Sequence, residues 1–425
     1  MIRFILFLSC ILSCTLCSAL DYDRPLNLSE LLDLAMEKNP RTRIAWWNAK
    51  RAAAALGVAK SSYYPFVELD GLVDNGRVYK FVNGPDTSYT ILGADLVLSM
   101  MLLDFGERDA DVRSAKFALT AACWQTNWTL QKVMLEVLEN AYALINAEEL
   151  LQAALVSQKD AEMMMNASIQ LNAAGLVPIT DVYTSKATFA QMKIDTENQK
   201  GLRNIQKATL IASIGLNPDT NLQIARIEGV PFAMKQGTEQ LICLAQQQRA
   251  DLLAKQAELS ESVAKQEKVK AMFRPKLSLT ANGGVNHAIN DKSNGCQYNI
   301  SLNLTYPLFD GFNNFYLKRI AYDESRMTKE ELADLQLSIA LDVLTYTIGL
   351  ESAQSMLIYA EENLNNATQA FEGVFERYKA GKERITEVSF AQRQLVAARI
   401  RYSDILTQVR VSSANLAYST GTFLR

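Results

Sequence analysis

Two acidic side chains, Asp181 and Glu387, stand in matching surroundings: Gly175-Leu-Val-Pro-Ile-Thr-Asp-Val182 and Gly381-Lys-Glu-Arg-Ile-Thr-Glu-Val388. A pair of carboxylates can hydrolyse a glycosidic bond, one as general acid and the other as base or nucleophile. Each of these acids also follows a Thr near the start of a helix, where a negative charge is favoured by the helix dipole. The structural role therefore competes with the catalytic one, and nothing else in the chain supports catalysis. His287 is the only histidine, so no two-histidine metal site can be assembled. It falls in what reads as a loop between two strands. Phosphate-loop, dinucleotide and HExxH patterns are absent. The sequence reads as a non-enzyme, with no cofactor and no metal expected.

The two acids are positioned by a turn that occurs twice. Each copy lies within a run rich in Ala, Gln, Glu, Lys and Leu, the composition of long helices. Gly175 and Gly381 free the backbone to end one helix, Pro178 suits the first turn of the next, and Thr180 or Thr386 stands near an N-cap. The copies are 381 − 175 = 206 residues apart, as are Asp104 and Asp310, and Gly215 and Gly421. Nearer the N-terminus the spacing is 245 − 35 = 275 − 65 = 210, from Ala35 to Ala245 and from Pro65 to Pro275. A tandem duplication explains both, with a four-residue length change expected in a loop. The repeats read as 20–227 and 228–425. Each holds short helices, a β-hairpin (about 66–100 and 276–306) and a long helical hairpin (about 107–215 and 313–420).

Composition narrows the class. Lys plus Arg is 43 against 46 for Asp plus Glu, with no basic block, which argues against nucleic acid as a partner. Residues 1–19 read as a signal peptide: Arg3, the apolar run Phe4 to Leu16, and Cys17-Ser-Ala19 as the cleavage site. Cys14-Thr-Leu-Cys17 matches a redox pattern, but its place in the signal makes that a coincidence. Ile11-Leu-Ser-Cys14 is a loose lipobox, so acylation at Cys14 is an alternative. Beyond the signal, no uncharged apolar run reaches the ~18 residues of a spanning helix.

Strands remain as a way across a membrane. Tyr298, Ile300, Leu302, Leu304 and Tyr306 alternate with Asn299, Ser301, Asn303 and Thr305, the period of a strand with one apolar and one polar face. Leu277, Leu279, Ala281 and Val285 form its partner, with a polar loop expected from Ala288 to Gly295. Val67, Leu69 and Val73 pair similarly with Leu92, Ala94, Leu96 and Leu98. A soluble sandwich is the alternative, yet one hairpin per half makes no stable sheet in water. Polar faces of Asn, Ser, Thr, Asp and Glu suit a water-filled lumen. The helix from Glu107 to Ala173, 67 residues without Pro or Gly, must pack against others to persist.

These motifs together resemble the TolC-type outer-membrane efflux proteins over about Leu28 to Leu424. The most specific are residues 175–182, Tyr378-Lys-Ala-Gly381 with Ile385-Thr-Glu-Val388, and Leu308-Phe-Asp-Gly311. The resemblance implies a mixed α+β membrane protein. Four strands per protomer would join a shared 12-stranded β-barrel, and the helical hairpins a trimeric α-barrel in the periplasm. It implies a homotrimer in outer-membrane lipid that works with a periplasmic adaptor (membrane fusion) protein and an inner-membrane RND or ABC-type transporter. Its task would be to export small molecules or proteins; a periplasmic scaffold or adhesin is the alternative. Asp181 and Glu387, with Thr180 and Tyr378 nearby, would stand at the periplasmic entrance. The chain departs from the family where Phe390 replaces a second acid, Glu383 replaces an expected Arg, and Met101-Leu-Leu-Asp104 replaces Pro-Leu-Phe-Asp.

Overall fold

The computed structural model describes residues 25–78, 87–225, 237–289 and 293–422; the signal peptide, Cys14 and Ala19 lie outside them. Twelve elements follow one another in two like series. The first is α1 (Leu28–Lys38), α2 (Pro40–Ser61), β1 (Phe66–Val78), β2 (Thr87–Leu103), α3 (Glu107–Ala173) and α4 (Ile179–Ile214). The second is α5 (Thr238–Gln248), α6 (Ala250–Met272), β3 (Lys276–Ala288), β4 (Ser293–Thr305), α7 (Asn313–Lys379) and α8 (Ile385–Ser419). Both α3 and α7 have 67 residues. The stretch joining β1 to β2 is 79–86 and that joining β3 to β4 is 289–292, so the four-residue difference falls between strands. No helix among the described residues is long and apolar enough to cross a membrane.

The helix ends show why glycine stands at fixed places. Gly175, Gly215, Gly381 and Gly421 all have positive φ, between 69° and 93°. Each closes its helix with the same pair of backbone bonds. At the first, Gly175 N–H donates to Asn172 O and Leu176 N–H to Leu171 O, both at 2.9 Å. At the third, Gly381 N–H donates to Tyr378 O and Lys382 N–H to Arg377 O, both at 2.9 Å. This is the Schellman closure, which satisfies the last carbonyls of the helix. Pro178 is the N-cap of α4, with no side-chain cap, and Thr180 and Thr386, expected near a cap, are second residues of their helices. Helix α2 begins at Pro40, whose ring suits a first turn.

Asp104 and Asp310 anchor the strand-to-helix junctions. Asp104 accepts from the backbone N–H groups of Arg108 (2.8 Å) and Gly106 (3.3 Å) and from Arg108 Nε (2.9 Å). Asp310 accepts from Asn314 N–H at 2.7 Å. Burial opposes the Asp104 charge, but the donors of Arg108 and Gly106 outweigh it and hold the carboxyl below its usual range.

The chain divides into two compact units, each drawing on both series. Unit 1 holds residues 1–39, 136–230 and 357–407; unit 2 holds 40–135, 231–356 and 408–425. The core of unit 1 includes Met164, Leu171, Phe371, Phe375, Tyr378, Val388 and Leu395. Unit 2 contains one antiparallel sheet in the order β1-β2-β3-β4. Its hairpins run further than the alternation suggested. His287 pairs with Asn294 and Ala288 with Ser293, so His287 lies in β3 rather than in a loop, hydrogen-bonded to Asn294 Oδ1 at 2.5 Å. Tyr298 is consequently inside β4, not at its end. Backbone pairing sustains the ladder although the side chains there have become polar.

Two of the helix-closing glycines also sit against backbone. A Cβ on Gly215 would lie 2.7 Å from Asn39 Cα, and one on Gly421 would lie 3.0 Å from the Gln248 carbonyl carbon. Gly215→Ala and Gly421→Ala should each destabilise the protein by about 1–3 kcal/mol. Gly57→Ala, in helix α2 with open space around it, should stabilise by about 0.5–1 kcal/mol. Unfolding midpoints in detergent check this; equal shifts for all three variants would contradict the packing account.

Candidate functional site

Within unit 1, the turn between α7 and α8 is built on Tyr378. Its side chain is fully buried between Phe375, Ile385 and Val388, and its hydroxyl has no hydrogen-bond partner. Burial and the nearby Asp181 charge push its pKa up to about 12. Asp181, half-buried in the first turn of α4, is itself raised by burial. The structure therefore brings Asp181 and Tyr378 together. It does not bring Glu387 to them: Glu387 and Phe390 are exposed on α8, as Thr180 is on α4. Glu383 turns back on its own hairpin and pairs with Arg377 at 2.7 Å. With Arg377 mostly exposed, that pair adds well under 1 kcal/mol or so.

Two polar contacts that the sequence did not reveal lock the hairpins of unit 1. Ser168 and Ser185 share a buried 2.5 Å hydrogen bond between α3 and α4. Arg399 on α8 donates to Ser157 Oγ and Asp160 Oδ2 on α3, both at 2.9 Å. The signal for the second was an Arg directly after Ala397 and Ala398, which gives charge but no partner.

In unit 2 the register puts Val67, Leu98, Ala281 and Ile300 in one row across all four strands, with Leu69 and Leu96 in the next. The opposite face carries Asp70, Asp95, Gly284 and Gln297 in one row. Exposure runs against what water favours. Leu69, Val73, Ile300, Leu302 and Leu304 are 63–76% exposed, while Ser301, Thr280, Asn282 and Asp95 are half-buried. An apolar face left open in this way needs a partner other than water. Tyr298 and Tyr306 stand on the same open face. Behind it, Asp70 and Asp95 are directly opposed, and like charges so placed repel. Asp95 turns away into the space left by Gly284, where a Cβ would meet its Oδ1 at 1.7 Å, and accepts from Gln297 Nε2 at 3.4 Å.

A sheet with its apolar side open, followed in both halves by a long helical hairpin, defines a membrane protein that crosses lipid by strands and extends beyond it by helices. The sequence pattern of the outer membrane efflux protein family matches residues 31–216 and 241–422, and the chain belongs to that family. The two matched segments begin 241 − 31 = 210 apart and end 422 − 216 = 206 apart, the two spacings read from the sequence. The chain is 25% identical over 410 residues to protein CyaE of Bordetella pertussis, covering 93% of this chain and 84% of the relative. It is 25% identical over 423 residues to outer membrane protein TolC of Vibrio cholerae, covering 93% and 91%. Among solved structures, the fold is shared with the outer-membrane channel OprN (TM-score 0.83, 16% identity, 93% and 89% covered). It is also shared with CmeC of Campylobacter jejuni (TM-score 0.81, 16% identity, 93% and 86% covered). TolC-family channels are homotrimers that work with adaptor proteins and inner-membrane pumps, and they lie in the outer membrane with helical barrels in the periplasm.

Asp181 and Tyr378 give a signed pH prediction. A carboxyl raised by burial favours its neutral form in the fold. Its contribution to stability is thus fully present below the unfolded value of about 3.9 and is lost as pH rises through the folded one. Asp181→Asn should raise the unfolding midpoint at pH 7, with the gain shrinking as pH falls toward 4. Tyr378→Phe removes an unpaired buried hydroxyl and should stabilise by about 1 kcal/mol. A Tyr378→Phe midpoint below that of the parent would show that the hydroxyl is bonded in the fold.

Proposed function

We propose that this chain is the protomer of a trimeric export duct, and the observation that carries the reading is the sheet. Its apolar face is open, and its outer strands β1 and β4 each pair on one side only. In lipid an unpaired strand edge leaves backbone groups unsatisfied at several kcal/mol each, so the sheet must close into a barrel. Four strands are too few to close alone; three copies supply twelve. The doubled element order supports an origin by tandem duplication, with repeats 20–227 and 228–425. The duct would take cargo, small molecules or proteins, from an inner-membrane RND or ABC-type pump through a periplasmic adaptor. A relative from Pseudomonas aeruginosa, 27% identical over 368 residues, is named as a pyoverdine export outer membrane protein, which favours the small-molecule side. The exposed apolar sheet tells against a soluble scaffold or adhesin.

In this reading the helix turns form the periplasmic entrance. Asp181 and Tyr378 belong to its inner packing, while exposed Glu387 contributes a charge to its rim, and Glu383 and Phe390 mark departures that alter the rim's chemistry. Three copies of Glu387 about the axis would favour cations in a narrow passage.

Light scattering in detergent should give a mass of three chains, and a monomer as the sole folded species would contradict the duct. Leu302→Arg should cost roughly 2–4 kcal/mol if it lies near the bilayer midplane, and Ser301→Arg much less. Similar assembly yields for the two variants would count against membrane strands. In planar bilayers Glu387→Gln should reduce cation preference and divalent block from the periplasmic side. If conductance properties stay unchanged, Glu387 acts only on its helix start, an effect of roughly 0.3–1 kcal/mol.

A further inference from the structure

Unit 2 carries a cavity of about 840 Å³ between α2, α3 and α6, within the usual range for small-molecule sites. Ala45, Ala118 and Ala122 form an apolar floor, and Asn48, Gln125 and Thr129 supply hydrogen-bonding groups. Its charges are divided. Arg41, Arg51 and Lys132 line the side made by α2 and α3, and Glu258 and Glu261 the side made by α6. Both acids have a cation beside them: Glu261 pairs with Lys265 at 2.6 Å, and Glu258 shares Lys255, at 2.7 Å, with Glu331. Arg51 and Lys132 have no carboxylate partner among the described residues; Lys132 lies only over the ring of Trp128, at 5.2 Å. The cavity therefore presents surplus positive charge beside an apolar surface.

Contacts order four helices of this unit as α2, α3, α6, α7. Thr126 Oγ1 donates to Ala45 O, Arg113 and Lys268 link α3 to α6, and Lys255 links α6 to Glu331 of α7. This repeats the strand order, with α2 and α7 at its two ends. A further copy set side by side would meet those ends and leave a cavity centred on α3 uncovered. A cavity lined by three successive helices of one layer is what a layer concave toward it would form. Closing the ring then turns this face inward. Ala118 lies 11 residues and Lys132 25 residues into the span from Glu107, some 17–38 Å of helix beyond the strands, out of reach of lipid headgroups.

We propose that this cavity is a station in the duct wall for small amphipathic anions, a compact apolar body carrying a sulfonate, carboxylate or phosphate that Arg51 and Lys132 receive. The proposal rests on the duct reading for its inward orientation, but binding itself does not need transport. Purified protein in non-ionic detergent is dialysed to equilibrium against naphthalene-1-sulfonate and, separately, 1-naphthylmethylammonium. The sulfonate should bind one per chain and at least tenfold more tightly than the cation. Arg51→Glu with Lys132→Glu should weaken the sulfonate at least tenfold and favour the cation, whereas Arg51→Lys with Lys132→Arg should bind as the parent does. Arg51→Gln and Lys132→Gln, each alone, should show a smaller loss if the double reversal fails to fold. Equal affinity for the two probes, equal sulfonate binding by parent and neutralised variants, or no binding by the parent would overturn the assignment; the last would mean that another segment fills the groove. A folded species that binds the sulfonate but never assembles into a pore would leave the cavity standing and remove the duct.

Discussion

Lipid offers no hydrogen bonds, and from that constraint most of this molecule follows. A strand in hydrocarbon must give every N–H and C=O a partner on a neighbouring strand. The chain meets the demand three times internally, between β1 and β2, β2 and β3, and β3 and β4, and leaves it unmet at both outer strands. A protein with this sheet is incomplete as one chain. The helices carry the same incompleteness, since helices of 67 residues hold their form through packing rather than propensity. Sheet and helices run in the same lateral order in unit 2, so one arrangement of copies can satisfy both.

The doubled plan was legible because the residues that mark it answer to backbone geometry. A helix that ends in a left-handed residue takes glycine almost regardless of its surroundings, and Gly175, Gly215, Gly381 and Gly421 all do so. Asp104 and Asp310 persist for a related reason, each receiving a backbone N–H four residues on. Strand faces were readable from alternation because lipid on one side and water on the other impose opposite chemistry.

Other features were not legible, and each for a physical reason. The loop-side tips of the hairpins were set too short because the alternation of side chains fades before the backbone pairing does; His287 and Ser293 are polar residues in a continuing ladder. Thr180 and Thr386 look like caps because hydroxyl side chains are common there, yet each is the second residue of its helix and no side-chain cap closes α4. The link from Arg399 to Asp160 joins residues 239 apart in the chain, a separation at which composition carries no pairing information. The burial of Tyr378 was hidden for a similar reason. Its hairpin turn suggests a surface position, but Phe371, Phe375 and Leu171 cover it from both hairpins.

Charge is distributed unevenly along these elements, and the unevenness has mechanical sense in a duct. The polar strand face bears Glu68, Asp70, Asp74 and Asp95, with Lys276 as a base at its border, paired to Glu107. The exposed rim of the second helix turn bears Glu387. Helix α2, which precedes both of these acidic stretches in the sequence, has Arg41, Arg43, Lys50, Arg51 and Lys60 and no acid at all. A passage of one sign throughout would hold an opposite charge tightly and repel a like one at every level. Alternating signs keep each well shallow, because the attraction of one level is opposed by the repulsion of the next within about a Debye length, near 8 Å at physiological salt, only where the levels are close. Where they are further apart each acts alone, so the charges of a cationic cavity several helical turns from the strands are not cancelled by the acidic strand face.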